Sequence, residues 1–340
     1  MHQTALADRE APLVMRNVRP IEPRQHQMDD SRRQVLKSTV LAMSALVAPQ
    51  GLGAQARDLL TDFQTRRIPT DGATIHVRIA GSGPPLLLLH GFPQSNVLWH
   101  KVAPELVRRF TVVAPDLRGY GFSSKPPDGE NHAGYSKRAM LRDQVEVMRV
   151  LGFERFAVVG HDRGGRVAWR LATEEPDRVT RAVVLDIVPA YGPVTREFAT
   201  AYFHWFFLTQ PASFPEQLIE AAPEAFLRRF LSRPGISAEA FAEYLRALQQ
   251  PGTPHGMCED YRAGATIDEL HEVETRDRRV TSPLLVLWGE RSLVGTSYDP
   301  IRLWREVATD VRGRSLQGGH NLPEELPEQT LESILEFIPT

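Results

Sequence analysis

The sequence predicts an α/β fold, with a mostly parallel sheet covered on both faces and a helical cap inserted after the sixth strand. Three observations predict it. From residue 62 onward, short apolar or β-branched runs alternate with segments of helical composition, the order of a doubly covered parallel sheet. The strand signal stops after Pro189, and about 90 residues of aromatic-rich helical sequence follow before Pro283-Leu-Leu-Val-Leu-Trp-Gly289 restores it. Gly160-His161-Asp162-Arg163-Gly164-Gly165-Arg166 then lies between a strand-like run and a helix-like one, with glycines that permit a sharp turn and a close helix approach.

Taken in order, the strand-like runs are Thr74 to Ala80, Pro85 to His90, Thr111 to Pro115, Arg155 to Gly160, Thr180 to Asp186, Pro283 to Gly289 and Arg312 to Leu316. Helical periodicity, with apolar residues three and four apart, is clearest over Tyr135 to Leu151 and Leu326 to Phe337. These assignments give a core of residues 57–188 and 281–340 with a cap of residues 189–280. The cap is expected over the carboxyl ends of the strands, closing a pocket where such sheets place their sites.

The net charge of −2, with 42% hydrophobic and 24% charged residues, suggests no nucleic-acid partner. The single cysteine, Cys258, excludes a disulfide framework and a cysteine-based metal site, and reads as a small buried hydrophobe. At the N-terminus, Ser31-Arg32-Arg33-Gln34-Val35-Leu36-Lys37 precedes the apolar run Ser38 to Val47 and then Ala54-Gln55-Ala56. This looks like a twin-arginine export signal cleaved after Ala56, so residues 1–56 are read as a leader and the mature chain as periplasmic, with a cytoplasmic location as the alternative. Met28 is an alternative start.

Three further motifs accompany the turn at Asp162: His90-Gly91-Phe92-Pro93, Asp116-Leu-Arg-Gly-Tyr-Gly-Phe-Ser123, and Gly319-His320 after the last strand. In this order over residues 60–340 they resemble the α/β-hydrolase superfamily, with its oxyanion loop, its nucleophile elbow and its catalytic histidine. Aspartate at the elbow changes the chemistry, because a carboxylate attacks sp³ carbon carrying a leaving group, or an epoxide, and forms an alkyl ester. Water must then cleave that ester at the carboxyl carbon, with His320 as base and the backbone N–H groups of Phe92 and Arg163 as oxyanion hole. No cofactor or metal is needed. The acid that orients His320 is Asp186, ending its strand, or Glu290, because Ser292 stands where many members of the superfamily carry Asp.

Arg163 and Arg166 are three apart at a helix start, so their side chains lie roughly 60° apart and face one side. Two guanidiniums there would bind a small carboxylate and set its neighbouring carbon against Asp162. The pair narrows the resemblance to haloacetate dehalogenases, especially fluoroacetate dehalogenases, whose elbow reads like His161 to Arg166. That resemblance implies a homodimer, favours Asp186 over Glu290, and makes His204, Trp205 and Tyr261 the donors to the departing halide. Poor leaving groups such as fluoride need such donors as the bond breaks. The expected substrate is a halogenated carboxylate. An epoxide hydrolase shares the Asp elbow and His-Gly-x-Pro loop but has little use for paired arginines, and a non-catalytic receptor of this fold would tolerate loss of the triad.

Overall fold

The computed structural model describes residues 58–339; the expected leader, with its paired arginines and Ala56, lies outside the described residues. One sheet runs in the order β1-β2-β4-β3-β5-β6-β7-β8, where β1 is Gln64–Thr70, β2 Ala73–Ala80, β3 Pro85–Leu89, β4 Thr111–Pro115, β5 Phe156–His161, β6 Val179–Leu185, β7 Leu284–Gly289 and β8 Val311–Leu316. β2 runs antiparallel to β1 and β4, and the remaining neighbours are parallel. β1 is missing from the expected set. It carries one buried side chain, Ile68, among Gln, Thr, Arg and Pro residues at the sheet edge, so neither an apolar run nor an alternation marks it.

The inner strands are buried on both faces, and their side chains divide by alternation. Leu86 and Leu88 join Val112, Ala157, Val159, Val183 and Leu185 on one side, while Leu87 and Leu89 join Val113, Val158, Val184 and Val286 on the other. Helices Lys137–Val150 and Asp162–Glu174 cover the second face through Met140, Val147, Val167 and Leu171, and Pro327–Phe337 covers the first through Ile334 and Phe337. The helix expected from Tyr135 begins at Lys137, because the Ser136 side chain accepts from the Ala139 N–H as its N-cap.

Between β6 and β7 the chain folds into helices Arg196–Ala201, Phe203–Leu208, Phe214–Ala221, Pro223–Leu231, Ala238–Leu248, Thr253–Gly264 and Ile267–Thr275. Leu208, Ile219, Leu227, Tyr244, Met257 and the buried Cys258 extend the apolar cluster of the second sheet face, so cap and core share one interior. The strand order reverses at β3, with β4 on one side and β5 on the other. Leu89 therefore sits beside Gly160, and His161 beside Leu185. The loops that leave β3, β5 and β6 converge at this switch, the expected position for a site.

Candidate active site

Asp162 opens the helix after β5 with φ +47°, a left-handed conformation that side chains rarely adopt. The turn closes because Gly164 passes against the preceding loop: a Cβ on it would lie 2.3 Å from the His90 carbonyl oxygen. The Asp162 carboxylate is thereby carried to the Phe92 N–H, which donates to its Oδ1 at 3.0 Å. The loop bearing Phe92 is itself pinned. His90 Nε2 accepts from the Leu117 N–H at 3.0 Å, and the Asp116 carboxylate accepts from the N–H groups of Asn96 and Phe122 at 2.8 and 2.9 Å.

His320 follows β8 and its Nδ1–H donates to Asp186 Oδ2 at 2.6 Å, which leaves Nε2 facing Asp162 Oδ2 at 3.8 Å. Asp186 has φ +54° and is fully buried; its Oδ1 accepts from Ser292 Oγ–H at 2.6 Å and the Gly289 N–H at 2.9 Å. Glu290, the alternative acid, is exposed and accepts from Ser315 Oγ–H instead. Burial alone would raise the Asp162 carboxyl. The positive fields of His320, His161 and Arg163, with the Phe92 N–H, hold it below its ordinary value. Burial likewise disfavours charge on His320, yet the hydrogen bond and charge of Asp186, then the charge of Asp162, raise it above the ordinary 6.5.

In an enzyme that forms an ester on Asp162, these two shifts would separate the half-reactions by pH. Attack needs ionised Asp162, which persists well into acid. Ester hydrolysis needs neutral His320, which is lost as pH falls through its raised value. On acidification an alkyl-Asp162 ester is expected to accumulate in the unmodified enzyme, detected by acid quench and intact mass; turnover falling with no added mass would contradict this.

Residues 84–325 match the alpha/beta hydrolase fold family. The chain belongs to the alpha/beta hydrolase family. It is 44% identical over 285 residues to a fluoroacetate dehalogenase of Burkholderia sp, covering 81% of this chain and 94% of that one. It is 35% identical over 289 residues to a soluble epoxide hydrolase of Corynebacterium sp. (strain C12), covering 82% and 98%. A solved alpha/beta hydrolase structure from Nostoc sp PCC 7120 superposes with TM-score 0.80 at 51% identity, over 82% of this chain and 98% of that one.

In this alpha/beta hydrolase the two elbow arginines do not form the free, matched pair expected from their spacing. Arg163 is buried, and its Nε and Nη2 donate to the Asp260 carboxylate at 2.8 Å each, with a further Nη2 bond to the Asp260 carbonyl at 2.7 Å. Its guanidinium also stacks 4.3 Å from the centre of the Tyr261 ring. The reason is that Asp260 reaches the elbow from cap helix Thr253–Gly264, where Tyr120 Oη–H and Lys137 Nζ also donate to it. Of the Arg163 side-chain nitrogens, only Nη1 is left outside these bonds. Arg166 is less committed: Nη2 lies 3.4 Å from the Val188 carbonyl, and the guanidinium rests over Tyr191 and Trp205.

Two cavities border the elbow, and of the two only the smaller is lined by Asp162. One of about 390 Å³ is lined by Arg163, Arg166, Trp205 and Tyr261; the other, of about 320 Å³, by Phe92, Asp162, His204 and His320. The rings of Phe92, His204 and Tyr261 pack on one another between them, with centroids 5.1 to 5.6 Å apart. In this wall the Tyr261 hydroxyl and His204 Nδ1 are buried without a hydrogen-bond partner. Burial drives His204 down to about 3, so it is a neutral imidazole, and burial with the charge of Asp162 raises the Tyr261 phenol, which keeps its proton. Asp260 and Ser292 are the partners that sequence reasoning missed. Asp260 stands directly before Tyr261 on a helix that also carries His255, Glu259 and Arg262, so no local pattern in the sequence marks it.

Proposed function

We propose that this alpha/beta hydrolase converts a haloacetate to glycolate and halide through an ester on Asp162. The carboxylate attacks the halogen-bearing carbon, and the carbon–halogen bond breaks with its electron pair leaving on the halide. His320 Nε2 takes a proton from water as that water adds to the Asp162 carboxyl carbon, and the oxyanion forms against the N–H of Phe92 and, in this reading, of Arg163. Collapse expels glycolate, whose hydroxyl takes the proton from His320, and the Asp162 carboxyl releases the second water proton to solvent, which restores the carboxylate. The observation that carries the reading is a carboxylate nucleophile beside two unpartnered buried donors, Tyr261 and His204, with Arg166 and the remaining Arg163 Nη1 available to the substrate carboxylate. Trp205 and Tyr261 border the cavity of Arg166 while His204 borders that of Asp162, and in this reading the halide sits where the three rings meet, the Tyr261 ring lying 5.6 Å from His204 and 6.5 Å from Trp205.

Epoxide hydrolysis is the second reading, favoured by the Tyr202 and Tyr261 phenols, which burial keeps protonated and able to donate to an epoxide oxygen. Halide release from fluoroacetate and chloroacetate, set against diol formation from styrene oxide, separates the two. Release of halide with no diol is expected; diol without halide would overturn the proposal. Tyr261→Phe is expected to slow fluoroacetate turnover by about 10²-fold and bromoacetate turnover by less than about 10-fold, because the weaker leaving group leans harder on the donor. Equal slowing of both, measured as kcat by halide release, would remove Tyr261 from the halide site.

A further inference from the structure

We infer that Arg229, Arg233 and Arg291 form an anion-docking site at the mouth of the Asp162 cavity, where a substrate carboxylate binds before it reaches the nucleophile. The inference rests on the haloacid reading above and adds residues that the elbow motif does not contain. All three arginines are exposed and line the cavity that holds Asp162 and His320. They come from three segments: the cap helix Pro223–Leu231, the loop after it, and the turn after β7.

Among the described residues other exposed arginines, such as Arg66 and Arg142, also lack a counter-ion; what sets these three apart is that they lack one while lining a single cavity. Elsewhere on the surface Arg228 pairs with Glu224, Arg246 with Glu243 and Arg302 with Glu306. None of the three mouth arginines has a carboxylate partner among the described residues. Arg229 instead lies 5.0 Å from the centre of the Phe203 ring, and Arg233 Nε donates to the Phe230 carbonyl at 3.1 Å. Among the described residues Asp162 is the single carboxylate lining this cavity. The neighbouring cavity, by contrast, sets Asp268, Glu269 and Glu272 against Lys137, Arg163, Arg166 and Arg170.

An unopposed cluster of like charges at a concave mouth concentrates the opposite ion there, and salt screens the effect over about 10 Å at 0.1 M ionic strength. Arg233 is near enough for its charge to oppose protonation of His320. The arrangement also fits the commitment of Arg163 to Asp260: capture of the anion falls to the mouth, where no carboxylate among the described residues pairs with the guanidiniums.

The test compares the wild type with R229Q/R233Q/R291Q on chloroacetate and on its uncharged counterpart chloroacetamide, over a range of sodium chloride. For chloroacetate at low salt, kcat/KM is expected to fall about 10-fold through KM, with kcat within about twofold and the gap closing as salt rises. For chloroacetamide, kcat/KM should change less than about twofold. Loss of the same size on both substrates, or no loss on chloroacetate, overturns the docking site. If the wild type releases no chloride from chloroacetate, the haloacid reading itself fails; the docking site is then read from calorimetric binding of acetate. A tenfold weaker affinity in the triple variant supports the site and an unchanged affinity overturns it.

Discussion

Replacing His320 with alanine is expected to lower chloroacetate turnover by about 10²- to 10⁴-fold and to leave a carboxymethyl group on Asp162. The two halves of the reaction need different groups. Attack needs an ionised carboxylate held in line, and the backbone that supplies both, the strained turn at Asp162 and the Phe92 N–H, is untouched by the substitution. Hydrolysis needs a base at the carboxyl carbon, and His320 Nε2 is the basic atom placed there, 3.8 Å from Asp162 Oδ2. The ester therefore forms once and stays. Intact mass after incubation with chloroacetate, followed by mapping to the peptide that carries residue 162, reads the outcome. Inactive protein without added mass would show that His320 is needed before the ester forms.

Asp260→Ala is expected to cost about 3–5 kcal/mol of stability, because it leaves the buried Arg163 guanidinium without a carboxylate partner. Two of the three Arg163 bonds to Asp260 and the Lys137 bond end on its carboxylate and are lost in alanine, whereas Arg163 keeps its bond to the Asp260 carbonyl and Lys137 keeps Asp268 Oδ2 at 3.4 Å. Asp260 joins the cap helix to two core elements, so the loss falls on cap closure as well as on global stability. Urea unfolding should show a lower midpoint at constant slope. Adding Arg163→Met should recover part of the loss, since the double variant buries one cation fewer. A change of less than about 1 kcal/mol in Asp260→Ala would mean that Arg163 is supported by other contacts.

What the sequence reveals and conceals follows from how local each feature is. The elbow at Asp162, the Phe92 loop and His320 are legible because each sits within a few residues of a strand end, and a parallel sheet fixes where strand ends gather. Asp186 and Glu290 both follow strand ends, so locality leaves the two open, and only the family resemblance favours Asp186. The Arg163–Asp260 pair is not, because its partners are 97 residues apart and meet only when the cap closes on the core. Spacing alone shows that Arg163 and Arg166 share a helix face; it does not show that a cap carboxylate already occupies one of them. β1 escapes notice through its polar edge sequence, and the mouth arginines through their origin in three separate segments.

The central claim, an ester on Asp162 rather than direct attack of water on the substrate, is tested most directly by a single turnover in heavy-oxygen water. With enzyme in excess over chloroacetate, the account predicts that the heavy oxygen enters the Asp162 carboxylate, found in the peptide spanning residue 162, while the glycolate released carries the light oxygen it took from Asp162. Heavy oxygen in the glycolate with none in Asp162 would contradict it.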